Sequence, residues 1–353
     1  MRDWEIIDSL AYDHVKSNQL SKAASALISD PPVAVSPAVI DEMKSKHPEA
    51  RDIDVARKLA LRAVDGGAAC QTEKESLCKA VRSFPKGSAG GTNGLRPQHL
   101  QDALASLFQH DLVNELAALC NSLLRGDIPS EVKPWFFGGK LAALPKTDGT
   151  LRPIAVGDTL RRLTSKLALE EVSNDIRSYL EPIQVGVGSK HGCERIVHVV
   201  RQWLARNNAD KDKVLVSLDL ANAFNTIDRA AIMAGVRRVC PSAAPWIDAS
   251  YGQDSMLLLG ETEIDSSRGV QQGDPVGPAV FALGIHNDIL EAKAQTEEEY
   301  PNELDFVAFF LDDATAAGTS QAVKYFLDAL LARLRAKGME ANVRRCSCRK
   351  RQY

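Results

Sequence analysis

"LDFVAFFLDDATAAG", residues 304–318, runs an apolar, aromatic-rich stretch into two adjacent carboxylates and then falls away through small residues to Gly318. The stretch reads as strand–turn–strand, with Asp312-Asp313 at the tip of the hairpin. Asp219 closes a second apolar strand, "DKVLVSLDL" (212–220). A carboxylate at the end of a buried strand carries a desolvation cost unless something positive meets it. Several together add mutual repulsion, which a divalent cation removes. Oxygen ligands without histidine or thiolate suit Mg²⁺ or Mn²⁺. Two such ions about 4 Å apart would activate an attacking oxygen and stabilise a leaving one. A lone Asp-Asp pair is more often a polar turn, so the surrounding sequence has to decide.

The 353 residues are enough for two or three domains or one multi-lobed enzyme, and 44% hydrophobic with 25% charged residues fits a globular chain with a sizeable core. The N-terminus has no apolar signal segment and no apolar run reaches membrane-spanning length, so the expectation is an intracellular protein, nuclear or cytoplasmic, with no membrane partner. Seven cysteines without regular spacing argue against a disulfide framework or a zinc knuckle. The net charge of −3 does not mark a nucleic-acid binder. Its distribution is uneven: "TEEEYPNELD" (296–305) reads as an acidic loop and "RRCSCRKR" (344–351) as a basic segment.

Residues 1–83 carry apolar residues at helical intervals in "SLAYDHVKSN", "LSKAASALIS", "SPAVIDEMKS" and "RDIDVARKLALRAV", and form a helical N-terminal region that scaffolds or contacts nucleic acid. From 84 the texture changes. A Gly-rich loop precedes one long helical stretch, "QHLQDALASLFQHDLVNELAALCNSLLRG", and "GGKLAALPKTDGTLRPIAV" reads as a hairpin turned at Asp148-Gly149. Helix, strand, helix and a further strand pair follow, then a proline-opened helix, the aspartate hairpin and an amphipathic helix closed by Gly338. Strands mixed with hairpins suggest α+β, an antiparallel sheet with helices packed on one face.

Six segments together resemble the reverse transcriptases of non-LTR retrotransposons, in family order across 84–346. "LVSLDLANAFNTID" (215–228) is similar to the first aspartate motif, "GVQQGDPVGPAVF" (269–281) to the Gln-Gly-Asp-Pro segment, and "FFLDD" to the aromatic–any–Asp–Asp hairpin. "LPKTDGTLRPIAV" (144–156) is similar to the fingers hairpin, "KGSAGGTNGLRPQHL" to the Gly-rich segment before it, and "AKGMEANVRRCS" to the last palm motif, Gly–Leu–x–x–Asn–x–x–Lys–Cys. The resemblance implies a right-hand polymerase palm-and-fingers core, with fingers and part of the palm at 84–213, the palm with its catalytic aspartates at 214–346, and a basic tail at 347–353. It implies that Asp219, Asp312 and Asp313 are catalytic metal ligands for two Mg²⁺ ions, with Mn²⁺ able to substitute. Lys146 and Arg152 would clamp the triphosphate, Phe224 would exclude a ribose 2′-hydroxyl, and Gln272 and Gly273 would line the nucleotide pocket. RNA template, DNA primer and dNTPs are the implied partners.

Two departures stand out. Leu311 fills the "any" position, where a smaller residue is common. Arg345 stands where lysine is usual and, with a guanidinium pKa above about 12, would assist the leaving group by charge rather than by proton donation. Seven residues follow Cys346, so the expectation is a core truncated before the thumb. Other readings stay open at this point: a folded, non-catalytic retroelement remnant that binds RNA, a viral-type RNA-dependent RNA polymerase, and an unrelated metal phosphohydrolase.

Overall fold

In the computed structural model, which describes residues 32–62, 68–107, 109–207, 209–342 and 346–349, helices enclose two four-stranded sheets and a two-stranded ribbon. The first helices are α1 (Pro37–Lys46), α2 (Asp52–Arg62) and α3 (Lys74–Arg82). Ser36 starts α1 by accepting a hydrogen bond from the Val39 N–H at 3.4 Å, with Pro37 at the first helical position, where no N–H is needed. The two helical readings within residues 1–31 lie outside the described residues.

The long helix expected beyond Gln98 is instead two, α4 (Pro97–Leu104) and α5 (Gln109–Leu124). The break has a local cause. The Ala105 N–H turns back to Asp102 at 3.1 Å and the Ser106 N–H to Ala103 at 3.2 Å, so the backbone tightens to a 3₁₀ turn and stops. After α6 (Lys133–Phe136) come β1 (Gly139–Pro145) and β2 (Leu151–Gly157), antiparallel, with Leu144 opposite Arg152. Gly149, at φ +80°, makes the turn expected of Asp148-Gly149. Alternate residues Leu141, Ala143, Leu151 and Ala155 pack on Val39 and Met43 of α1. β1 also pairs with β5 (Ser255–Leu259), which pairs with β6 (Thr262–Ser266). The β1–β5 pairing is parallel, so this sheet is mixed, a correction to the single antiparallel sheet expected.

The second sheet is antiparallel, in the order β10 (Ser347–Arg349), β3 (Lys213–Leu218), β8 (Asp313–Thr319), β7 (Leu304–Phe310). The first residues of the expected basic tail thus form an edge strand. Helices α7 (Thr159–Leu180), α12 (Gly277–Glu299) and α13 (Ser320–Ala336) share its core, through Val172, Ile176, Phe281, Ile285, Phe326 and Leu330. Between them in the chain lie α8 (Gly192–Arg206), α9 (Ala223–Thr226), α10 (Arg229–Val239) and α11 (Ala244–Tyr251). Helix α12 continues through Glu299, so the acidic stretch at 296–305 is not one loop: it is the last turn of a helix, a turn, and the start of β7. Thr296 is buried in that last turn, and its hydroxyl donates to the Ala292 carbonyl at 2.7 Å. A small ribbon, β4 (Leu220–Ala221) with β9 (Glu340–Ala341), completes the fold.

The N-terminal region is built into this frame. The Val33 N–H donates to Ala143 O at 2.9 Å, and Glu42 accepts from the Leu151 N–H at 2.8 Å. Buried Asp54 accepts from the Ala230 N–H at 2.7 Å and the Arg229 N–H at 3.3 Å, capping α10 from a distance in sequence, while Arg51 pairs with Asp228 beside it. Among the described residues no helix is long and apolar enough to cross a membrane, and Cys70, Cys78, Cys120, Cys193, Cys240 and Cys346 are free thiols.

Candidate functional site

A cleft of about 660 Å³ lies between the two sheets and is lined by Asp219, Asp312, Asp313, Lys146, Arg152, Phe224 and Gln272. These side chains come from separate elements. The β3–β8 ladder ends with Leu218 opposite Ala314, so Asp219 and Asp313 flank its last pair on neighbouring strands. Phe310 and Asp313 close the β7–β8 hairpin, leaving Leu311 and Asp312 as its two-residue turn. Three acids therefore meet at one end of the second sheet.

Their proximity is visible in the electrostatics. Burial pushes the Asp312 carboxyl up to about 6, the negative charges of Asp313 and Asp219 push in the same direction, and the Lys146 ammonium opposes them. Lys146 thus reaches from the first hairpin into the field of the acids. Arg152 is exposed on the facing strand of that hairpin. Among the described residues no three Asp, Glu, His or Cys side chains form a ready-made metal-binding group. The donor set nonetheless fits a hard divalent cation: oxygen only, one acid desolvated, and repulsion that a cation would relieve.

The Phe224 ring stacks on Phe281 at 4.5 Å and 19°, and its carbonyl accepts from the Val270 N–H at 2.7 Å. Its face is therefore held, not merely near the cleft. Gln272 lines the cleft, and its carbonyl accepts from Ala155 N–H of β2 at 2.8 Å. Gly273, at φ +130°, lies against β2: a Cβ there would overlap the Ala155 carbonyl, so the glycine lets this loop approach the strand. Asp274 points inward to Arg161 at 2.8 Å, an ion pair with both side chains about 1% exposed, and accepts from the Tyr251 hydroxyl at 2.7 Å. Arg161 also donates to Gln271 and to the Phe137 carbonyl. That buried network fixes the loop from behind. Arg345 lies outside the described residues.

Several site residues escaped the sequence reading. Asn342 donates from Nδ2 to Asp219 Oδ2 at 2.6 Å, and its N–H donates to Asp219 O at 2.8 Å, so it orients the first acid; the asparagine of the last motif was the signal available. Asn222, at φ +51°, lines the cleft and ties its side-chain amide to the Lys46 carbonyl at 2.8 Å, which brings Lys46 of α1 to the rim. Nothing local marked Lys46.

Residues 144–352, more than half of the chain, match the family model described as reverse transcriptase (RNA-dependent DNA polymerase). The chain belongs to the reverse transcriptase family. Among curated proteins it is 28% identical over 289 residues to the retrotransposable element SLACS 132 kDa protein of Trypanosoma brucei gambiense, over 76% of this chain and 22% of that protein. It is 22% identical over 272 residues to the Pol polyprotein from type-2 retrotransposable element R2DM of Drosophila melanogaster, over 73% of this chain and 24% of that one. This is a reverse transcriptase domain of the non-LTR retrotransposon type, with an α+β fold. It spans about a quarter of the length of the curated relatives it matches. The solved structure of apo telomerase from Candida tropicalis, truncated from its C-terminal domain, aligns at 14% identity and a TM-score of 0.46, over 62% of this chain and 51% of that one.

Proposed function

We propose that this reverse transcriptase domain adds a deoxynucleotide to a primer 3′-hydroxyl on an RNA template. The 3′-hydroxyl gives its proton to water, its oxygen bonds to the α-phosphorus in line, the bond from that phosphorus to the oxygen shared with the β-phosphate breaks, and pyrophosphate leaves. The reading is carried by the meeting, in one cleft, of acids from the second sheet with cations from the first and a fixed aromatic face between them.

Asp219 and Asp312, with Asp313 beside them, would hold two divalent cations, Mg²⁺ or Mn²⁺. When bound, such ions supply charge stabilisation to an in-line displacement. The other groups bind and orient. Lys146 and Arg152 attract the triphosphate, with Arg152 able to engage two oxygens at once. The Phe224 ring excludes a 2′-hydroxyl by shape and so favours dNTPs, and Gln272 lines the nucleotide's place. Asn342 holds one oxygen of Asp219 so that the other is presented to the cleft.

Primer extension on an RNA template, at low salt with Mn²⁺, compares the wild type with Asp312→Asn. The expected loss is on the order of 10³-fold, the several kcal/mol attributed to metal-assisted charge stabilisation. Equal traces from the two proteins would overturn the reading and leave a folded domain without this chemistry.

A further inference from the structure

The turn that carries Asp312 has an unusual backbone. Leu311 sits at φ +59°, a region that a branched, bulky side chain rarely adopts. Two-residue hairpin turns that need a positive φ at their first position take glycine there by preference. A leucine in that place returns to ordinary backbone angles unless its surroundings prevent it, and any such return would re-aim the next residue, Asp312.

One side chain prevents it. Gln184, in the segment between α7 and α8, is wholly buried. Its Oε1 accepts from the Leu311 N–H at 2.8 Å, and its Nε2 donates to the Leu311 carbonyl at 3.0 Å. Both polar groups of that residue's backbone are thus bound by one amide, which the amide's acceptor and donor ends allow and a carboxylate or an apolar side chain would not. The clamp is itself braced. The Gly186 N–H donates to the same Oε1 at 3.0 Å, the Val185 N–H to Phe309 O at 2.9 Å, and the Phe309 N–H to Ile183 O at 2.7 Å. Gly186 has no side chain because a Cβ would overlap the Leu311 nitrogen. The segment at 183–186 lies alongside β7 and ends in a hand around the turn.

We propose that Gln184 is a positioning residue: by clamping the Leu311 backbone it keeps Asp312 aimed into the cleft beside Asp219. The proposal rests on the polymerase reading above for its effect on turnover, but its structural part stands apart from activity. Gln184 touches neither the acids nor the nucleotide's place.

The test uses the full chain carrying Gln184→Met, which fills similar space and makes neither hydrogen bond, together with Leu311→Gly and the double variant. Hydrogen–deuterium exchange followed by mass spectrometry should show faster exchange in peptides covering 311–313 of Gln184→Met, with the protection of β7 and β8 otherwise retained. In primer extension kcat should fall roughly tenfold or more while KM for the dNTP changes less than about threefold, since an aim is lost and not a binding contact. Leu311→Gly, which relaxes the backbone requirement, should by itself stay near wild type and should recover part of the loss in the double variant. Wild-type exchange at 311–313 in Gln184→Met would overturn the clamp. Lost protection with wild-type kcat would overturn its role in aiming Asp312. If Gln184→Met does not fold, a Leu311→Gly protein with kcat tenfold down would overturn the proposal, because the strained leucine would then matter for another reason. If even the wild type extends no primer, the polymerase reading falls while the exchange arm still decides the clamp.

Discussion

Two hairpins border the cleft and are built on opposite plans. The β1–β2 hairpin ends in five residues, Lys146–Thr150, of which Thr147 to Thr150 are exposed, and its turn closes on itself through the Lys146 N–H to Thr150 O bond of 2.8 Å. The β7–β8 hairpin ends in two, and Gln184 takes both backbone groups of the first. The first carries Lys146 and Arg152, the second Asp312 and Asp313. A charge that must stand at one point is set on a backbone without freedom. Of the two cations on the first hairpin, Lys146 stands at the start of the exposed loop and Arg152 on the paired strand beside it.

The comparison breaks most severely behind the hairpins. Arg161 and Asp274 form a buried pair that holds the Gln271–Asp274 loop against β2. Arg161→Ala leaves Asp274 charged and unpaired in the interior, an expected loss of about 3–5 kcal/mol that urea denaturation measures as a lower midpoint. A midpoint within error of wild type would show that the loop does not depend on this pair.

A smaller effect tests the first hairpin. Lys146→Ala should raise KM for dNTPs about tenfold, roughly 1.4 kcal/mol, with kcat changed little. A kcat loss with unchanged KM would instead make the lysine part of the fixed machinery.

A further test reads the acids through pH. Asp312 titrates at about 6 in the fold against 3.8 ordinarily, so the folded state holds this proton more tightly than the unfolded chain. Its contribution to metal-free stability is complete below 3.8 and is lost as pH rises through about 6. Thermal melting without metal should therefore decline by a few degrees across that window relative to Asp312→Asn. Added Mg²⁺ should restore the loss above about 6 and do little below it, since there the proton occupies the carboxylate. Parallel melting curves of the two proteins across the window would remove this account.

Both hairpins were legible in the sequence because each combines an apolar run with a turn of known chemistry, Asp148-Gly149 in one and the aspartates in the other. Helix α7 was read at its place in the sequence too. What was not legible depended on partners far along the chain. The parallel β1–β5 pairing joins strands separated by more than a hundred residues, and neither strand marks it. Helix α8 rests on β7 through Trp203, which donates to Asp305 at 2.8 Å; Ile196, Val199, Val200 and Trp203 at helical intervals were a signal the sequence offered and the reading passed over. Asn342 on Asp219 and Gln184 on Leu311 are single polar contacts between irregular segments, and periodicity is silent about such residues. The break between α4 and α5 is a tightened turn at Ala105 and Ser106, with no glycine or proline there to mark it.

The cap that Asp54 provides to α10 has a practical consequence for anyone recombining or trimming this chain. A cut at the change of texture near residue 84 would take away the acceptor for two backbone donors at the start of a helix beneath the cleft, and Arg51 would no longer meet Asp228. The leading helices are a keystone in the masonry, and a shortened gene should begin upstream of them.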